Sequence, residues 1–172
     1  MSITIPATEI IPDHVAAVVA RLRRFTNVTD LCPDETVAVT KRDGTAGTML
    51  LKRVSANMEA VTLLQAWTGH AVVVNPSGGL GDDPYVPLGR PRFDCLCYGT
   101  NGYEAARLAR VVASVLVPVG RRGSAFTEAQ CRLSDVQQVS DIINLGIDRE
   151  NQAHRRVVSF EATKKLIPVG VV

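Results

Sequence analysis

The sequence predicts an α+β fold, a mostly antiparallel sheet packed against two or three helices, and three observations carry the prediction. Residues 13–25 and 103–117 repeat apolar side chains at helical spacing. The other apolar runs are short and either alternate or are rich in β-branched residues. These elements do not alternate strand with helix, as a doubly wound sheet requires; they run helix, hairpin, strand, strand, helix, strand, strand. At 172 residues the chain has the length of one domain, 1–172, with a core of its own.

The first helix is expected over 13–25, where Val15, Val18, Val19, Leu22 and Phe25 share a face. Asp13 can cap its first turn, and Arg21, Arg23 and Arg24 suit the negative end of its dipole. The alternating, β-branched run Thr36–Thr40, the turn Arg42-Asp43-Gly44 and a return over 48–53 predict a hairpin. Met58, Val61 and Leu64 place a short helix at 55–66. Ala71 to Val74 read as a buried strand that stops at Asn75-Pro76. Residues 76–90 crowd Pro76, Gly78, Gly79, Gly81, Pro84, Pro87 and Gly89 together, so an extended loop is expected there. A strand over 92–98 follows, with Phe93, Cys95 and Cys97 on one face. The helix at 103–117 carries Ala105, Leu108, Ala109, Val112, Val115 and Leu116 on its apolar stripe, and Pro118 and Gly120 end it. Two last strands, 128–137 and 154–165, bracket a second extended loop at 141–152.

The composition narrows the function. A 46% apolar content with 21% charged residues excludes a disordered chain, and the longest apolar runs fall far short of the roughly 20 residues of a membrane-spanning helix. The formal charge is only +2, with no basic tail, so affinity for nucleic acid through phosphate neutralisation is not expected. Cys32, Cys95, Cys97 and Cys131 lack zinc-ligand spacing, and no secretory segment opens the chain. Four buried free thiols in a reducing cytoplasm are therefore expected.

No catalytic machinery is legible. The run Asn75-Pro76-Ser77-Gly78-Gly79-Leu80-Gly81 imitates a phosphate loop, but Asp82-Asp83-Pro84 follows where a helix N-terminus is needed. Asp82 and Asp83 lack the further oxygen ligands that a hard cation requires. His14, His70 and His154 have no metal-ligand spacing, and neither a G-x-S-x-G elbow nor an S-x-x-K occurs. No enzymatic activity, cofactor or metal is expected.

One ordered pattern remains. A strand ends in Ser77-Gly78-Gly79; Arg90, Asp94, Tyr98 and Gly99 then fit R-x-x-x-D-x-x-x-Y-G; and Ala105, Leu108, Ala109 and Val112 fit A-x-x-L-A-x-x-V. Asp148 and Arg155-Arg156-Val157-Val158-Ser159-Phe160 come later. Over roughly residues 65 to 165 this order resembles the tail terminator proteins of long-tailed bacteriophages, also called tail-completion or minor tail proteins. The connection between the hairpin and Trp67 is longer than that family's usual one.

The resemblance implies a structural virion protein, made in the host bacterial cytoplasm. It would form a homo-hexameric ring on the head-proximal end of the tail tube, end tube polymerisation and dock to a head-completion or connector protein. DNA would pass through the ring lumen without sequence-specific binding, and no membrane would be involved. Candidate interface residues are Asp82, Asp83, Tyr85, Val86, Arg90, Arg155 and Arg156, with Asp82 and Asp83 facing basic groups of a partner and Tyr85 and Val86 anchoring it. The sheet edges and the strand over 154–165 are expected near the subunit contacts, and the 76–90 loop is expected to order on docking. Two alternatives stay open: a small-ligand-binding or hydrolytic enzyme using the Gly-rich loop, and another neck protein such as a head-closure subunit.

Overall fold

The computed structural model describes residues 13–40, 43–56, 70–80, 88–118, 123–148 and 152–165. Helix α1 (His14–Arg23) opens at Asp13, whose carboxylate accepts from the N–H groups of Val15 and Ala16 at 2.8 and 3.2 Å. This satisfies two of the orphan donors of its first turn. The arginines at its other end are all paired with carboxylates: Arg21 and Arg24 with Glu128, and Arg23 with Asp34. A single turn, α2 (Thr26–Thr29), leads to the predicted hairpin, β1 (Glu35–Thr40) and β2 (Ala46–Leu51), which forms a two-stranded sheet of its own. The helix expected at 55–66 lies almost wholly outside the described residues; its first residue, Ser55, belongs to the short strand β3 (Val54–Ser55).

The main sheet has seven strands. β3 pairs in parallel with β4 (Ala71–Leu80), and every other pairing is antiparallel. The order is β3, β4, β5 (Leu88–Gly99), β9 (Ala153–Lys165), β7 (Cys131–Gln138), β6 (Ser124–Glu128), and β8 (Ile143–Asp148) also pairs with β9. β7 and β8 lie along one side of β9 in succession, β7 against its C-terminal part and β8 against its N-terminal part. Between them, Val139 N–H donates to the Ser159 carbonyl at 2.9 Å, and Ser159 N–H donates to Ser140 Oγ at 3.0 Å.

Helix α3 (Gly102–Leu116) packs with α1 on one face of this sheet. Its stripe is the predicted one, and all six stripe residues are buried. Asn101 caps it by accepting from Glu104 N–H at 2.9 Å. The turn into the helix is tight: a Cβ on Gly99 would lie 2.5 Å from Ala105 N, so only glycine fits there. The core beneath the helices holds Phe93, Cys95, Cys97, Val158 and Phe160, with the Phe93 and Phe160 rings stacked at 5.5 Å. A smaller cluster on the opposite face joins Leu51, Ala71, Val73, Tyr98 and Ala153.

The structure corrects three expectations of extent. First, residues 76–80 and 88–90, expected in a loop, extend β4 and β5, and only 81–87 of that segment fall outside the described residues. Proline and glycine are tolerated here because β3 reaches no further than Val73, leaving the other side of β4 unpaired from there on among the described residues. A bulge between Pro76 and Gly78 absorbs the missing N–H. Second, the 141–152 excursion contains β8. Third, the strand expected at 128–137 is a hairpin of β6 and β7. It turns on Ala129 and Gln130 at φ 47° and 60°, left-handed conformations that neither residue advertises.

Candidate assembly surface

All four thiols are free and buried. Burial pushes the Cys32 thiol up to about 12, although the Arg53 guanidinium pulls the other way, and it raises Cys95 and Cys97 far above the ordinary thiol range. Such thiols are protonated and poor nucleophiles at neutral pH. Among the described residues, no three His, Cys, Asp or Glu side chains come together in a group that could hold a metal ion. No helix among them is long and apolar enough to cross a membrane.

The Gly-Gly run has a packing role. A Cβ on Gly79 would lie 2.2 Å from the Arg90 carbonyl and 2.7 Å from Arg92 N, and its φ of 106° excludes an ordinary L-residue as well. Glycine is needed for the close approach of the β4 and β5 backbones. The polar end of the sheet beside it has two adjoining cavities. Gly79, Arg90, Arg92 and Glu161 line one of about 410 Å3, where Arg92 Nε donates to Glu161 at 2.7 Å. Arg90, Asp135, Gln137, Glu161 and Thr163 line one of about 330 Å3. Asp135 sits there in the β7 bulge at φ 51°, an uncommon backbone for aspartate.

His70 binds elsewhere. Its Nδ1 lies 3.2 Å from the Leu31 carbonyl, which anchors the ring to the loop after α2, and Nε2 stands 3.6 Å from Glu104 of α3, beyond hydrogen-bond range.

Of the predicted interface residues, Asp82, Asp83, Tyr85 and Val86 lie outside the described residues. Arg90 is exposed near the start of β5, whereas Arg155 and Arg156 lie near the start of β9, which antiparallel pairing sets against the far end of β5. Tyr98 is the partner of Arg155, so eight residues of β5 separate Arg90 from it, about 26 Å at strand rise. Arg155 and Arg156 are neighbours in a strand and point to opposite faces. Arg155 faces Asp148 at 3.9 Å, and Arg156 lies beside the first turn of α3. These residues therefore do not form one patch. The strand over 154–165 is not an edge either: β9 is flanked by β5 on one side and by β7 and β8 on the other.

The flank at β8 was not anticipated. Ile143, Leu145 and Ile147 are 49%, 41% and 53% exposed, and Val139, just before β8, is 48% exposed. Among the described residues β8 pairs with β9 alone, so its outer edge is bare. The bulge between Asn144 and Gly146 leaves Leu145 without a partner on β9, and Asn144 Oδ1 accepts from Gly146 N–H at 2.9 Å to hold that kink. Tyr103, 69% exposed, borders the same flank. It follows Gly102, where a Cβ would lie 3.4 Å from Arg156 and 3.6 Å from His154, the β9 residues that pair with Asn144 and Ile147. A signal for β8 was present as the Ile-x-Leu-x-Ile alternation, which Gly146 and Asp148 disguise as a turn, although the bulge sets Ile143 opposite Val157 and Ile147 opposite His154, on opposite faces of the strand.

Neither the known protein-family models nor the curated proteins compared with this chain show a match to it.

Proposed function

We propose that this chain is a structural subunit that assembles with copies of itself into a closed ring, in the manner of the tail terminator proteins that its sequence resembles. In that role the ring caps the head-proximal end of a bacteriophage tail tube, stops its growth and meets a head-completion protein. The observation that carries the self-assembly reading is the aliphatic flank at β8. An uncovered strand edge with exposed isoleucine and leucine invites pairing with another chain, and closure into a ring uses the edge up. The buried, protonated thiols and the structural tie of His70 fit a subunit that performs no chemistry. The phage assignment rests on the order of the Gly-Gly, Arg90–Gly99 and Ala105–Val112 motifs. Negative-stain microscopy of the concentrated protein, alone and with purified tail tubes, tests both levels. Rings on tube ends are the expected result; single subunits under both conditions would overturn it.

A second reading, a binder of a small polar molecule, is favoured by one observation: Asp135 is held at an uncommon φ beside the Arg90 cavity. A melting temperature that rises with a small charged ligand, and no longer does so in Arg90→Ala, would select this reading over the first.

A further inference from the structure

We propose that the β1–β2 hairpin of one copy docks on the β8 flank of the next, so that copies join head to tail. The inference rests on the ring reading and specifies its joint. Six large apolar side chains are exposed among the described residues. Three of them, Ile143, Leu145 and Ile147, lie on β8, where the bulge turns Ile143 and Ile147 to opposite faces so that they rim its free edge, while Val139 precedes the strand and Tyr103 stands in the first turn of α3 beside it. The sixth, Leu50, is 57% exposed and stands on the hairpin.

These two groups lie on opposite flanks of one sheet. β2 runs through Lys52 and Arg53 into β3, the outermost strand on the β4 side, while β8 lies beyond β9 on the other side. A projecting element on one flank and a receptive surface on the other make a heterologous contact, which repeats from copy to copy and closes into a ring when the rotation permits.

The hairpin is built as an arm. Its base is fixed: Leu51 is buried in the cluster with Ala71 and Tyr98, Arg53 pairs with Glu35, and Arg53 N–H donates to Asp34 at 3.2 Å. Beyond that base neither strand pairs with the main sheet, and Thr36, Ala38, Thr40, Ala46, Thr48 and Leu50 are exposed. A lone two-stranded hairpin is marginal in water, and packing against a further surface completes it. Charge does not oppose the contact. From Thr36 to Thr40 and from Ala46 to Leu51 the hairpin strands hold no ionisable residue, and the single one in β8, Asp148, faces Arg155 of its own chain.

Head-to-tail joining has a consequence that symmetric joining lacks. Leu50→Lys spoils the arm and leaves the β8 flank intact, whereas Leu145→Lys spoils the flank and leaves the arm intact; both change exposed side chains. Light scattering on the unaltered protein, on each variant and on their equimolar mixture is the test, with Ile143→Lys as a second flank variant and thermal melting to show that each is folded. The unaltered protein is expected to form rings, each variant to stay monomeric at concentrations at least tenfold above those that suffice for the unaltered protein, and the mixture to stop at dimers of one copy each. Rings formed by a folded variant as readily as by the unaltered protein, or a mixture that stays monomeric, would overturn the joint while leaving the ring. Failure of the unaltered protein to assemble would overturn the ring reading and the joint together.

Discussion

The outer sides of β4 and β8 are both unpaired strand edges among the described residues, and they are built in opposite ways. Beyond Val74, β4 continues through Asn75-Pro76-Ser77-Gly78-Gly79, with a missing N–H at Pro76, a bulge, and two glycines at φ 103° and 106°. These features make a poor template for another strand. β8 has a bulge too, but it carries no proline or lysine and presents Ile143, Leu145 and Ile147 to solvent. On β6, a third outer strand, α1 packs against the face, with Arg21 over the Phe126 ring at 5.3 Å and Arg24 paired with Glu128 at 2.7 Å. Of these three strands, β8 alone exposes isoleucine and leucine among the described residues, which is why the proposed assembly is placed there.

The largest expected effect removes the sheet on which both edges depend. Phe160→Ala takes a fully buried ring from its stack on Phe93 and is expected to cost about 3–5 kcal/mol by chemical denaturation. Both flanks should lose protection together.

Alkaline pH acts on the same core. The Cys32, Cys95 and Cys97 thiols have folded-state pKa values raised above the ordinary 9.0, so their contribution is complete below pH 9 and is lost as pH rises, for Cys32 up to about 12. Stability should fall steadily from pH 9 upward. At pH 8, a thiol reagent should modify the folded protein slowly and the denatured protein at all four cysteines.

Glycine substitutions separate the two edges. Gly79→Ala meets the Arg90 carbonyl at 2.2 Å as well as an unfavourable φ, and is expected to cost about 2–3 kcal/mol or to distort the β4–β5 end. Gly146→Ala in the β8 bulge meets nothing within 4 Å and bears only the strain of its φ of 80°, roughly 1 kcal/mol. A Gly146→Ala cost equal to that of Gly79→Ala would show that the β8 bulge is packed rather than open.

The smallest effect is expected at the exposed polar end. Arg92 and Glu161 sit directly opposite on β5 and β9, but Arg92 is largely exposed, so Arg92→Ala should change stability by at most about 1 kcal/mol, and less at high salt.

Helices α1 and α3, the first hairpin and the centre of the sheet were legible in the sequence because their patterns are set by burial on one face. The stripe of α3 and the Phe93-Cys95-Cys97 face read directly. Where a strand has a free side, that logic weakens. Pro76 and Gly78 look like loop residues because a strand paired on both sides would exclude them, yet β4 at that point is paired on one side only. β8 was missed because its apolar residues face solvent, so the usual link between apolar residues and the core does not hold. The β6–β7 turn was hidden because Ala129 and Gln130 carry no turn signature. The spacing of the candidate interface residues was not legible for a related reason: Arg90, Arg155 and Arg156 come from two motifs that resemble one family pattern, and the antiparallel pairing of β5 with β9 sets them far apart.

Hydrogen exchange on dilute and concentrated protein tests the central claim most directly, because it reads both unpaired edges in one sample. On concentration, amides of Ile143–Asp148 should slow markedly while those of Asn75–Leu80 keep their rate. Unchanged exchange across β8 at concentrations where the rest of the chain is fully folded would contradict the assignment of assembly to this flank.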